Sequence, residues 1–183
     1  NQQQMDPHSV QPDPATTSMV SMALLRSGTT LTSGKYSAQL GKALNYLLNE
    51  VEGSQANSSN ITSLTGTQIQ VKLGGNIDVI LTSQFLSTVL DYVGQDEQLK
   101  KRVKACLEVC VKKIQSGQNA NGSFKSSGWA GVLQSSFANN ALETAQAQGI
   151  AVDSVVLEKS REYQKGNFNA KTGDVNTSMG AGV

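Results

Sequence analysis

Histidine is nearly absent from this chain, with one residue, His8, among 183. A Ser-His-Asp or Cys-His catalytic system needs a positioned imidazole, and a zinc site needs three or four ligands. One histidine near the start and two cysteines supply neither. Aromatic residues make up only 5%, so most of the core must be Leu, Val, Ala and Ile. Excess charge is missing too: fifteen basic side chains against fourteen acidic ones leave +1. No whole-molecule field therefore draws the chain to nucleic acid or anionic lipid. No apolar run approaches the roughly 20 residues of a membrane span. The two cysteines, Cys106 and Cys110, stand four apart in a helical pattern. That spacing holds Cβ atoms roughly 5–6 Å apart, against about 3.8 Å in a disulfide, which makes them free core thiols.

What the chain has instead is repetition. An apolar helical run ends at a glycine, a second run follows, and a Gln- and Gly-rich joint leads to the next pair. The first copy holds Ser18 to Gly28 and Tyr36 to Glu52, the second Ile77 to Gly94 and Gln95 to Ile114, the third Val132 to Gly149 and Val152 to Tyr163. Gly28, Gly94 and Gly149 close the first helix of each pair, in the place where a left-handed C-cap is expected. A period of roughly 50 to 65 residues points to stacked helical hairpins, none of which buries its apolar face alone.

Residues 1–15 carry all three prolines, Pro7, Pro12 and Pro14, and read as an extended or disordered arm. A short helix is expected over Thr16 to Arg26, capped by Thr or Ser. Residues 53–76 form a long interruption, and Thr67 to Leu73 alternates polar and apolar as a strand would. Asn76 or Asp78 is placed to start the next helix. The run from Asp96 to Ile114 is amphipathic, with Leu99, Val103, Cys106, Leu107, Cys110 and Ile114 on one stripe, acids at its start, and Lys112 and Lys113 at its end to complement the dipole. The cluster Lys100, Lys101, Arg102 and Lys104 lacks interleaved aromatics and reads as a solvated face rather than a phosphate site. Gly74-Gly75-Asn76 reads as a turn and cap. Asn57-Ser58-Ser59 and Asn60-Ile61-Thr62 fit the glycosylation sequon. Localisation stays open: free thiols suit a reducing compartment, whereas a polar start on Asn1 suits a mature end left by a signal peptidase.

The joint after the second pair contains Gln118, Gly122 and Phe124, then Trp129. A Gln just past a helix can bond orphan backbone groups, the Gly permits a sharp turn, and the aromatic fills the gap between hairpins. Trp129 is expected to pack at that joint rather than line a pocket. A shorter copy follows the third pair: Gln164, Gly166, Phe168. This order resembles the Gln-to-Trp repeat of the terpene cyclase and protein prenyltransferase superfamily, with Phe where Trp is usual. Ala43 to Leu48 and Ala141 to Ala145 are similar to it as well, so the resemblance covers roughly residues 16–170.

The resemblance implies an all-α fold, a partial α-α toroid of about three helical hairpins, half of a six-hairpin ring. Residues 171–183 would be a tail or the start of a further repeat. The superfamily's chemical signatures do not accompany it. Asp78, Asp91, Asp96, Asp153 and Asp174 are scattered rather than gathered into an acid motif, and neither a zinc set nor a thioester sequence is present. The expectation is a non-catalytic repeat domain without cofactor or metal, binding a protein, a peptide or an apolar small molecule on its concave face. Two alternatives stand beside it: the non-catalytic half of an enzyme whose acid or zinc residues lie outside this chain, and a structural repeat that self-associates.

Overall fold

The structure, a computed structural model, describes residues 11–124 and 126–176. His8 and the far end of the expected tail lie outside them. Among the described residues the chain is all-α. The helices are α1 (Pro14–Arg26), α2 (Ser37–Gly53), α3 (Gln68–Leu73), α4 (Ile77–Val89, followed by a 3-10 turn over Leu90–Tyr92), α5 (Glu97–Ser116), α6 (Gly131–Ala147) and α7 (Ser154–Gly166). An isolated antiparallel bridge pairs Phe168 with Val175.

Aspartates start three of these helices. Asp13 accepts from the Thr16 N–H at 2.7 Å, Asp96 from Leu99 N–H at 2.9 Å, and Asp153 from Val155 N–H at 2.8 Å. Each such cap contributes on the order of 1 kcal/mol. Asp13 corrects the expected start of α1. The helix begins two residues inside the expected arm, with Pro14 in its first turn, where the missing N–H costs nothing, and Ala15 fully buried. Gly28, Gly94 and Gly149 have φ of +89°, +67° and +81°. They turn the chain after α1, the 3-10 turn and α6.

The core is organised around α4, which packs against α1, α5 and α6. Behind them, α2 packs on α1 and α5, and α7 packs on α6. Every residue of α4 except Thr88 is buried, as its lack of a polar stripe requires. Small residues let its neighbours approach closely: Ser18 and Ser21 on α1, and Ala138, Ala141 and Ala145 on α6, all buried. α4 contributes Ile80, Phe85 and Leu86 to the core, all fully buried, each worth about 1.5–3 kcal/mol. Two of its polar residues find partners across the same contacts: Thr82 Oγ1 lies 3.1 Å from Ser18 Oγ, and Gln84 Nε2 donates to Phe137 O at 2.8 Å, whereas the buried hydroxyls of Ser83 and Ser87 have none. On α5 the expected stripe is inside, from Val103 through Cys106, Leu107 and Cys110 to Ile114.

One expectation about a segment fails. Thr67 to Leu73 contains no strand; Gln68–Leu73 is a helix. Thr67 Oγ1 accepts from Gln70 N–H while Gln70 Oε1 accepts from Thr67 N–H, a complete capping box. The reciprocal pair satisfies two orphan groups at once, which outweighs a short alternating pattern. Lys113 stands in the last turn of α5, as expected. It is buried, and its Nζ donates to the carbonyls of Gln55 and Ser58 at 2.6 and 2.8 Å, tying the 54–60 loop to α5.

Candidate functional site

The polar side chains of this protein converge on the N-terminal end of α4. Asp78, in the first turn, is fully buried. Its Oδ1 accepts from the Ala15 N–H at 3.1 Å, and its Oδ2 from Gln70 Nε2 at 2.7 Å and Asn60 Nδ2 at 3.3 Å. One carboxylate therefore joins the start of α1, the helix α3 and the loop before it. Burial raises its pKa above the ordinary carboxylate value, against the lowering effect of its three donors. Asn60 is committed too: Nδ2 also donates to Gly75 O at 2.6 Å, and Oδ1 accepts from Val79 N–H at 3.2 Å. Of the two sequon asparagines, Asn60 is thus held inside the joint, while Asn57 is exposed.

Asn76 is the N-cap residue of α4, as expected, and makes no side-chain cap bond. Its Oδ1 accepts from Ser126 Oγ at 3.0 Å and from Gln134 Nε2. That places the loop before α6 on the end of α4. The backbone closes the same joint. Ala130 N–H donates to Lys72 O at 3.1 Å, and Gly75 N–H donates to Ser127 Oγ at 3.0 Å. A Cβ on Gly128 would lie 2.6 Å from Gly74 N, so the two strands of chain meet at contact distance. Between them lies a groove of about 390 Å³, lined by Leu64, Gly66, Val71, Ser127 and Gly128, with Asn60 and Gln70 among its polar walls. Trp129 and Val71 are the chain neighbours of the Ala130–Lys72 bond, and they are 43% and 52% exposed. Trp129 is therefore not the packed joint residue expected of it, because the loop it sits on is pinned by backbone contacts on either side.

The joint after α5 holds the other motif residues. Gln118 Nε2 donates to Val156 O at 2.8 Å and Gly122 O at 3.3 Å, linking the joint to the first turn of α7. Gly122 has φ +84° and lies against the Lys159 backbone. Phe124 is fully buried, and its N–H donates to Ser135 Oγ at 3.0 Å. The shorter copy behaves differently. Gln164 Oε1 accepts from Ser136 Oγ at 2.8 Å, whereas its buried Nε2 has no partner. Gly166 is the last residue of α7 and does not take a left-handed turn; Gly173, at +77°, does. Phe168 is 52% exposed rather than filling a gap, since no hairpin lies over it among the described residues.

The remaining groups offer little chemistry. Both cysteines are buried and free. Burial, followed by the Glu52 carboxylate, pushes Cys106 up to about 11, and burial raises Cys110 further. Arg102 leaves the basic cluster to bridge α5 to α2. Its guanidinium donates to both Glu52 oxygens at 2.7 and 2.8 Å and to Asn49 at 2.7 Å. No three His, Cys, Asp or Glu side chains gather as a metal site among the described residues, and no helix there is long and apolar enough to cross a membrane.

Asp78, Asn60, Gln70, Gln134 and Lys113 carry the joints, and sequence reasoning singled out none of them for that work. Only Gln70 left a usable signal, since Thr67-x-x-Gln70 fits the capping-box pattern. No family model, no curated protein and no solved structure matches this chain.

Proposed function

We propose that this chain is a non-catalytic helical-repeat module, of the α-α toroid kind that its joints resemble, and that it holds an apolar segment of a partner. One observation carries this reading: the polar groups capable of chemistry are consumed in joints. Asp78 takes three donors, and Asn60, Gln70 and Gln134 are each bonded at both ends of the carboxamide. A general acid must reach the proton acceptor of its substrate, and both oxygens of Asp78 are occupied from within. The same end of the molecule also offers apolar groups: Trp129, Val71 and the Leu64 wall of the groove. Exposed aromatic and aliphatic side chains beside a groove are the usual anchors of recognition. A peptide, a protein segment or an apolar small molecule all fit that chemistry.

Trp129 is the single tryptophan, so its emission reports on this surface without interference. Titration with amphipathic helical peptides and with isoprenoid alcohols should give a saturable blue shift that Val71→Asp abolishes. Formation of product from an isoprenoid diphosphate or a squalene-like polyene would overturn the reading.

A further inference from the structure

The turn after α5 holds Asn121-Gly122, the one Asn-Gly pair in the chain, and the fold arranges reactive groups around it. Asn121 is exposed. The hydrogen bonds of its side chain both arrive on Oδ1, from Ser123 N–H at 3.1 Å and Ser123 Oγ at 2.8 Å, leaving Nδ2 without an acceptor among the described residues. Ser123 is itself buried, and its Oγ accepts from Asn119 Nδ2 at 3.0 Å, which fixes the donor in place. Donors aimed at a carbonyl oxygen draw off the charge that collects there when a nucleophile adds to its carbon. The nucleophile that follows in the chain is the Gly122 nitrogen, on a residue with no side chain to obstruct it. Its N–H donates to Asn119 O at 2.9 Å, so one turn bond must open before the nitrogen is free.

We propose that Asn121 is a modification site, where the carboxamide is lost without an enzyme and the product loosens the contact between this turn and α7. The Gly122 nitrogen gives up its proton and bonds to Asn121 Cγ. The bond from Cγ to Nδ2 breaks, and ammonia leaves with that proton, closing a cyclic imide. Water then opens the imide at one carbonyl to give aspartate or at the other to give isoaspartate. The isoaspartyl product carries the chain through Cβ and Cγ, adding one methylene to the backbone. This turn has no room for it. Gly122 is already against the Lys159 backbone, at φ +84°, and Gln118 Nε2 spans Gly122 O and Val156 O at 3.3 and 2.8 Å. Ammonia release and the groove beside Trp129 are independent, and either can fail without the other.

The test incubates the full chain at mildly alkaline pH, native and in guanidinium, and follows each asparagine by peptide mass mapping. Isoaspartate is read by methyl transfer from S-adenosylmethionine with an isoaspartyl carboxyl methyltransferase. Asn121 should convert faster than any other asparagine, and its native rate should lie within about tenfold of the unfolded rate, since a turn bond opens locally at low cost. Ser123→Ala, which removes one of the two donors, should slow native conversion about fivefold. Amide exchange along α7 should be faster in aged protein than in fresh, with α2 unchanged. A native rate further below the unfolded one overturns the proposal, because the fold would then protect Asn121, and that arm needs no variant. Conversion that Ser123→Ala leaves unchanged or accelerates overturns the role given to its donor. Isoaspartate without a change in α7 exchange overturns the structural consequence.

Discussion

Gly122 lies so close to Lys159 that a Cβ at position 122 would overlap the lysine carbonyl. The turn after α5 and the backbone of α7 are in direct contact there, with no side chain between them. Gly122 is also left-handed, at φ +84°. Gly122→Ala therefore combines an unfavourable dihedral with a clash against backbone that cannot rotate away. The expected cost is about 2–4 kcal/mol. Gly149 shares the dihedral, at +81°, but has nothing within 4 Å of its Cβ position. Gly149→Ala should cost only about 1–2 kcal/mol. Urea midpoints of the two variants at equal m-value check the order; equal losses would mean that the Lys159 contact is not tight.

Asp78 makes stability depend on pH in a direction opposite to that of most carboxylates. Its folded pKa is raised above the ordinary 3.8, chiefly by burial. Between those two values the folded state holds a proton that the unfolded state has released. Stability from this group is therefore full at low pH and falls as pH rises through the raised value. Asp13 and Tyr46 are the other titratable groups coupled to this end of the molecule. Glu52 and Glu143, held low by Arg102 and Arg161, act in the usual sense and lose stability as pH falls. Comparing wild type with Asp78→Asn removes those shared slopes. The melting temperature difference should move in favour of wild type on acidification from neutral pH. Movement the other way would mean that the three donors outweigh burial. Asp78→Ala, which strands all three donors, should cost about 3 kcal/mol or more.

The hairpins were legible because helix periodicity and glycine stops are local. The stripe on α5 and the turns at Gly28, Gly94 and Gly149 depend on residues within a few positions of each other. The joints were not legible because they pair residues far apart: Asp78 with Ala15, Asn76 with Gln134, Lys113 with Gln55. Nothing in one sequence announces such pairs. Trp129 and Phe168 show the same limit from the other side, since an aromatic's burial depends on whether a neighbour lies over it. For α3 the reason is of another kind. The Thr67–Gln70 capping box and the polar–apolar alternation are both local signals, and the capping box decides the conformation.

The cysteines give a chemical check on packing between α2 and α5. Cys106 Sγ lies 3.9 Å from Leu48 O and 3.8 Å from Glu52 Oε1, and its pKa is pushed up to about 11. The thiolate is the reactive form. At pH 8 its fraction is about two hundred times smaller than for a free thiol of pKa about 8.5. Iodoacetamide should leave both cysteines unmodified in the native protein over a time that fully alkylates glutathione, and should label both in guanidinium. Rapid native labelling of one site by mass spectrometry would mean that the contact between α2 and α5 opens readily.

Lys113 is a cation that this fold spends on backbone carbonyls. Its ammonium bonds the carbonyls of Gln55 and Ser58, and no carboxylate is paired with it in the ion pairs described. Burial lowers its pKa, with the Cys110 thiol acting in the opposite sense. Those two carbonyls belong to a loop that has few apolar anchors other than Ile61. Lys113→Met should keep the buried stem of the side chain and remove only the two bonds. The consequence is local: α5 stays in place, because Val111 and Ile114 remain in the core, and the 54–60 loop loses its tether. Amide hydrogen exchange over residues 54–60 should accelerate at least tenfold, corresponding to about 1.4 kcal/mol of lost local protection, with exchange along α5 unchanged. Uniform acceleration across α2 and α5 would instead make Lys113 part of the global core, and unchanged exchange would mean that the loop is held by Asn60 and Ile61 alone.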